Sequence, residues 1–260
     1  MRDQNLFGLE SLENRRLLAA DLANGTLVVS GTAKNDGIVV LVHGDGHMHV
    51  TVNRTSYEFE EADVKKVIIN CGRGNDIVDA TTLTVPVAAY GGDGADSIYA
   101  GNGNDDVHGG AGDDILWTTG GRDRVYGDDG NDALAGGGSN DTLSGDAGDD
   151  RMDGGNGNDN LSGGDGTDRC NGQLGDDSLS GGGGRDFFAG GSGHDRFDDY
   201  SSKDRGRDHD EDDDSLPGGN GGGTDDDGTD DRGGGNNDDL LSDGHGAIDD
   251  DSIPGNSNGD

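Results

Sequence analysis

The chain is poor in most of what ordinarily holds a globular domain together. Its 260 residues include two cysteines, Cys71 and Cys170, each standing inside a repeat-like unit, so a disulfide framework is not indicated. Aromatic residues make up 4% and hydrophobic residues 28% of the chain, too little for a thick core. Basic residues are outnumbered, 18 to 55, giving a formal charge of -37. A chain so charged repels nucleic acid and anionic membrane surfaces, and neither is expected as a partner. No apolar run approaches the length of a membrane span. Leu17-Leu18-Ala19-Ala20 is too short for the apolar region of a standard signal peptide. No apolar or amphipathic region long enough to insert into a bilayer precedes the repeats, which argues against a pore-forming toxin.

What is abundant is glycine, 54 residues of it. Glycine loses more freedom on folding than any other residue, and a chain this acidic and polar reads as disordered unless cations change the balance. The glycines are ordered in sequence, however. From Gly91 to Asp198 a nine-residue unit, Gly-Gly-x-Gly-x-Asp-x-apolar-x, runs unbroken twelve times. Its sixth position is always aspartate, and its eighth is Ile98, Val107, Leu116, Val125, Leu134, Leu143, Met152, Leu161, Cys170, Leu179, Phe188 and Phe197. Twelve apolar residues in phase by accident have a probability on the order of 10⁻⁷ at this composition. Cys170 is therefore read as a small buried apolar residue.

Upstream, residues 25–90 have the texture of β-strands. Ile38–Val42 and the alternating His47–Asn53, joined by the glycine-rich His43-Gly44-Asp45-Gly46, predict a hairpin with Met48, Val50 and Val52 on one face. His43, His47 and His49 invite a zinc or copper reading, but no familiar ligand spacing completes it, and solvent-facing histidines near a turn are the plainer account. Gly31–Ile38 and Cys71–Val78 read as isolated or degraded copies of the nonapeptide, with Asp36 and Asp76 at its aspartate position. Val85–Tyr90 is predicted as an edge or capping strand, because Pro86 cannot donate to a central ladder.

The two ends differ from the middle. Residues 1–24 carry Leu9-Glu10-Ser11-Leu12-Glu13-Asn14-Arg15-Arg16-Leu17-Leu18, either a short amphipathic helix or a sorting segment. The run resembles the Leu-Glu-x-x-Leu-Leu segment at the start of many large exported proteins of planctomycete-type bacteria. Residues 199–260 hold 20 acidic against four basic residues with few apolar anchors, and are expected to be disordered. Asp208–Asp212 opens like an EF-hand loop, but Asp213 and Gly219 break the spacing.

The nonapeptide array resembles the repeats-in-toxin, or haemolysin-type, calcium-binding family. That resemblance implies an all-β fold, a right-handed parallel β-roll or β-solenoid in which two nonapeptides make one turn and Ca²⁺ is held between glycine-rich turns. A short β-rich N-terminal cap would precede it. The expected metal ligands are Asp76, Asp96, Asp105, Asp114, Asp123, Asp132, Asp141, Asp150, Asp159, Asp168, Asp177, Asp186 and Asp195. The chemistry is consistent: Ca²⁺ takes six or more oxygens in a flexible shell, which carboxylates and turn carbonyls supply, and no sulfur or nitrogen ligands are present to favour zinc, copper or iron.

With two repeats per turn, Asp96 should stack on Asp114 and Asp105 on Asp123, giving two ladders. The units are not equal. Thr118 and Thr119 replace the first two glycines before Asp123, which is flanked by Arg122 and Arg124, while Ser139 replaces a fourth-position glycine and Asp128 and Gln173 second-position ones. These rungs are expected to bind weakly. Phe187, Phe188, Phe197 and Tyr200 are read as a closing cap, and Trp117 as an outward indole able to stack on a sugar.

The expected function is an extracellular, secreted or surface-located calcium-binding protein whose roll folds where calcium is plentiful, at roughly 10⁻⁴ to 10⁻³ M per site. The resemblance adds export of the unfolded chain through type I channels. An adhesin contacting cell-surface glycans or matrix proteins is the alternative. The chain is not expected to be an enzyme, since the roughly ninety residues before the array contain no His-Glu-x-x-His, no Gly-x-Ser-x-Gly and no triad. An accessory region of a secreted enzyme is the remoter possibility.

Overall fold

A chain with one apolar residue in every nine can bury it only by stacking copies of itself. The computed structural model, which describes residues 19–198 and 205–207, shows that solution: a parallel β-solenoid with two sheets enclosing one apolar column. The ten-stranded sheet runs β1 (Ala20–Ala23), β2 (Thr26–Ser30), β6 (Lys66–Arg73), β8 (Val87–Asp93), β10 (Asp106–Ala111), β12 (Arg124–Asp129), β14 (Thr142–Ala147), β16 (Asn160–Gly166), β18 (Ser178–Gly184) and β20 (Arg196–Asp198). The eleven-stranded sheet, in sequence order, holds β3 (Gly37–Val42), β4 (His47–Val52), β5 (Thr55–Glu60), β7 (Ile77–Asp79), β9 (Ser97–Tyr99), β11 (Ile115–Trp117), β13 (Ala133–Gly138), β15 (Arg151–Asn156), β17 (Arg169–Leu174), β19 (Phe187–Ser192) and β21 (Arg205–Arg207).

Successive nonapeptides therefore fall on opposite sheets, and each pairs with the repeat one turn away: Leu116 lies beside Ile98 and Leu134, Val125 beside Val107 and Leu143. Every eighth-position side chain from Ile98 to Phe197 is buried, Cys170 included. Side chains at the flanking positions alternate outward, as strand geometry requires.

Residues 25–90 do not stand apart from this roll. The sheets run through them without a break and only the spacing of paired rungs differs, beginning with forty residues from the Gly31 unit to the Cys71 unit, with β4 and β5 inserted between. Val67 pairs with Val87, and Ile77 with Ser97, at a spacing of twenty, whereas Ala88 pairs with Asp106, and Ser97 with Ile115, at eighteen. The supposedly isolated units at Gly31 and Cys71 are thus full rungs. Val85–Tyr90 corrects the edge-strand expectation: β8 lies in the interior of the ten-stranded sheet, between β6 and β10. Pro86 stands just before the strand and supplies only its carbonyl, which accepts the Val67 N–H at 2.9 Å. A missing donor costs nothing at that position.

The first rungs are closed by antiparallel strands. β1 pairs with β2, and β3–β4–β5 form a meander whose first hairpin has the expected register, Ile38 opposite Val52 and Val42 opposite Met48. Met48, Val50 and Val52 face the core, and Gly44 and Gly46 take the positive φ values, 74° and 91°, that the connection needs. At the other end Phe188 and Phe197 pack edge to face inside the roll, 5.9 Å apart. Phe187 does not join them. It points outward from β19, half-buried under two guanidinium groups, because its odd position in the strand assigns it to the other face. Tyr200, residues 1–18 of the N-terminal segment and the acidic tail apart from 205–207 lie outside the described residues; the end of that segment, Ala20–Ala23, forms β1.

Candidate metal centre

The sixth-position aspartates form two columns along the turns. One runs Asp36, Asp76, Asp96, Asp114, Asp132, Asp150, Asp168 and Asp186; the other runs Asp105, Asp123, Asp141, Asp159, Asp177 and Asp195. All are buried, none more than 4% exposed. In each column the main-chain N–H of one aspartate donates to Oδ1 of the next: Asp96 to Asp114 at 2.6 Å, Asp114 to Asp132 at 2.7 Å, Asp105 to Asp123 and Asp141 to Asp159 at 2.8 Å. These are the two predicted ladders.

One carboxylate oxygen is thereby satisfied and the other is not. Oδ2 of Asp76, Asp96, Asp105, Asp114, Asp123, Asp132, Asp141, Asp150, Asp159, Asp168 and Asp177 is buried without a hydrogen-bond partner. Stranding one such acceptor is costly, and stranding a column of them is not tolerated without compensation. Burial, only partly offset by the N–H bond, pushes the carboxyls of Asp105, Asp114, Asp141 and Asp177 up to about 7 and those of Asp132, Asp150 and Asp168 to about 6. Asp36, at the closed end, is the counter-example. Burial pushes it up, but bonds from Asn53 Nδ2 (2.6 Å) and from the Thr32 N–H (2.6 Å) and hydroxyl hold its carboxyl below the ordinary value.

The unsatisfied oxygens lie against the first-position glycines, where any side chain would collide with them. A methyl carbon built on Gly136 would stand 2.5 Å from Asp141 Oδ2 and 2.9 Å from the Gly154 carbonyl. Gly91, Gly109, Gly127, Gly145, Gly163 and Gly172 leave comparable spaces beside Asp96, Asp114, Asp132, Asp150, Asp168 and Asp177. A carboxylate oxygen and a carbonyl of the next turn thus lie close together at the glycine, and both are oxygen donors of the kind calcium takes. Among the described residues no three carboxylate, imidazole or thiol side chains converge, so most of the shell must come from backbone carbonyls. The donor set fits a hard oxygen-seeking cation. Bound there, calcium supplies the positive charge that the buried carboxylates lack.

Three predicted ligands face a different environment. Cys71, Ala100 and Thr118 occupy the first position of the units ending in Asp76, Asp105 and Asp123, and all three are buried. The Cys71 thiol, pushed up to about 12 by burial and by Asp76, Asp96 and Asp36, lies among the carboxylates. Thr118 Oγ1 donates to the Gly136 carbonyl at 2.7 Å, the oxygen one turn on that corresponds to those lining the open spaces. The expected weakness around Asp123 thus has a cause beyond Arg122 and Arg124: threonine fills the cradle and takes up its acceptor.

A third set of contacts was not legible as function. At the fifth position an Asn or Asp side chain accepts the N–H of the fifth residue one turn on, as in Asn131 to Asp113 (2.9 Å), Asp149 to Asn131 (2.8 Å) and Asp176 to Asn158 (3.1 Å). The signal is the excess of Asn and Asp at a formally free position. Arg122 cannot accept, so this second ladder is interrupted at the same rung. The histidines gather without a metal arrangement: His43 and His47 flank His49, whose Nε2 lies 3.5 Å from Asp45, and His47 lies 3.4 Å from Glu58.

A parallel solenoid with buried aspartate columns facing glycine-lined, carbonyl-edged spaces defines a calcium-binding β-roll. The family model of the RTX calcium-binding nonapeptide repeat matches in four copies, over residues 89–116, 108–143, 126–161 and 162–197. No curated protein and no solved structure matches the chain significantly.

Proposed function

We propose that the chain is an extracellular calcium-binding structural protein, secreted or displayed at the cell surface, whose roll forms when calcium enters its aspartate columns. The observation that carries this reading is the run of buried, unpartnered Oδ2 atoms beside open glycine cradles. Without a cation the columns repel and stay unsatisfied; with it, binding free energy becomes folding free energy. Asp96, Asp114, Asp150, Asp159, Asp168, Asp186 and Asp195 are the proposed principal ligands; Asp132, Asp141 and Asp177, whose units carry Asp128, Ser139 and Gln173 in place of glycine, are weaker, and Asp76, Asp105 and Asp123 the weakest. The chain is read as non-catalytic. Far-UV circular dichroism on metal-free protein tests the reading: millimolar calcium should raise the β signal cooperatively, and a spectrum that calcium leaves unchanged would refute it.

A second reading, an adhesin that uses the roll as a scaffold for glycan or matrix contacts, is favoured by one observation. Trp117 (49%), Ile115 (37%) and Ile77 (59%) stand exposed on a single sheet face. Among the described residues no helix is long and apolar enough to cross a membrane.

A further inference from the structure

The register of the eleven-stranded sheet arranges its outward side chains in two files. Seventh-position residues run Ile115, Ala133, Arg151, Arg169, Phe187, and ninth-position residues run Tyr99, Trp117, Ala135, Asp153, Asn171. Read along the roll, this is an aromatic platform, a flat alanine step and an arginine section on one face. Tyr99 and Trp117 meet edge to face with centroids 5.5 Å apart, and the indole is exposed. In the arginine section Arg169 and Arg185 hold their guanidinium carbons 5.2 and 5.5 Å over the Phe187 ring. Between Arg151, Arg169 and Phe187 runs a shallow groove.

The arginines are the unexpected part. In a chain with 55 acidic residues, neither Arg151, Arg169 nor Arg185 forms an ion pair among the described residues, although Arg73 and Arg196 do. Arg151 and Arg169 are cross-strand neighbours, and like charges at that distance repel. Unpaired guanidinium groups on adjacent rungs present donors suited to carboxylate or sulfate.

We propose that this face binds a linear anionic polysaccharide laid along the roll axis, with sugar rings against Tyr99 and Trp117 and acidic groups against Arg151 and Arg169. The dimensions select a linear polymer. Four strand steps separate Trp117 from Phe187, about 19 Å, while two outward residues of one strand span only about 7 Å. Such a strip offers roughly 130 Å², far below the ~800 Å² that a stable protein partner covers.

The proposal rests on the calcium reading above. Asp150, Asp168 and Asp186 immediately precede Arg151, Arg169 and Phe187, and cations held by them offset the negative charge behind the face, leaving Asp153 as the carboxylate on it. Beyond a Debye length of about 8 Å the rest of the chain's charge is screened, so binding should be calcium-dependent and weakened by salt.

The test uses the full chain in millimolar calcium, with calorimetry or affinity electrophoresis against heparin, hyaluronan and neutral dextran. At least one anionic polymer should bind tenfold or more tighter than dextran, heparin reporting sulfate and hyaluronan carboxylate recognition. The double variant Arg151→Gln/Arg169→Gln and the single Trp117→Ala should each weaken binding about tenfold. Tyr126→Ala, on the opposite sheet, should leave it unchanged. Dextran bound as well as the anionic polymers, neither anionic polymer bound, or full binding by the double variant would each overturn the proposal. Circular dichroism with and without calcium on every variant keeps the outcomes apart. A normal calcium transition without polymer binding refutes this proposal alone, and a missing transition in the parent chain refutes the folding reading.

Discussion

Thr118 shows how one side chain decides the state of a rung. Its methyl and hydroxyl occupy the space that glycine leaves open elsewhere, and its hydroxyl engages the Gly136 carbonyl. Thr118→Gly should free that carbonyl, adding one calcium to the stoichiometry measured by isothermal titration; an unchanged stoichiometry would mean that Arg122 and Arg124 alone exclude the ion. Ser139 is the complementary case. It stands at a fourth position with φ 86°, a left-handed conformation that costs a non-glycine residue about 1–2 kcal/mol. Ser139→Gly should stabilise the calcium-bound roll by about 1 kcal/mol, read as a higher thermal midpoint.

A strand of the nonapeptide array from Ser97 onward contributes one apolar side chain to the core, so each such element depends on a single contact column. Leu143 on β14 lies between Val125 and Leu161 and is fully buried. Leu143→Ala should cost about 2–5 kcal/mol and raise the calcium concentration at the folding midpoint. A comparable truncation at exposed Leu174 should leave that midpoint nearly unchanged. The columns themselves were legible, because aspartate at position six and an apolar residue at position eight recur in strict phase and one turn holds two repeats. The upstream turns were not: Gly31–Ile38 pairs forty residues on, with β4 and β5 inserted, and Cys71–Val78 pairs twenty residues on, its two added residues carrying no motif that marks them as part of a turn. That is why Cys71–Val78 looked detached and why Pro86 looked like a mark of a sheet edge. The fifth-position ladder stayed hidden for another reason: Asn, Asp and Thr share a short side-chain oxygen, yet they look like random filling at a position with no fixed residue.

At the scale of the whole molecule the columns link folding to both protons and calcium. Folding raises the carboxyls of Asp105, Asp114, Asp141 and Asp177 from the ordinary 3.8 to about 7, and those of Asp132, Asp150 and Asp168 to about 6. Because the folded state binds these protons more tightly than the unfolded state, the metal-free roll is most stable below about pH 4 and loses stability as pH rises through 6 and 7. Metal-free protein should accordingly show more β signal at pH 5 than at pH 8. Calcium runs the other way, since it needs the carboxylates charged, and its midpoint concentration should be about tenfold or more higher at pH 5 than at pH 8. A midpoint independent of pH would show that these carboxylates do not hold the ion.

The alternation of consecutive nonapeptides between two sheets constrains how such a chain can change in length. Duplicating or deleting eighteen residues moves every later rung along the axis by one strand spacing and returns each side chain to the sheet it came from. A change of nine exchanges the sheets for everything downstream: an insertion after Trp117 would carry Arg151 and Arg169 to the face of Tyr90, His108 and Tyr126, away from the indole. The aspartate columns would hardly register the difference, because both are built alike. Calcium binding therefore tolerates growth by single repeats, whereas any property that depends on two distant rungs sharing a face is inherited only in pairs.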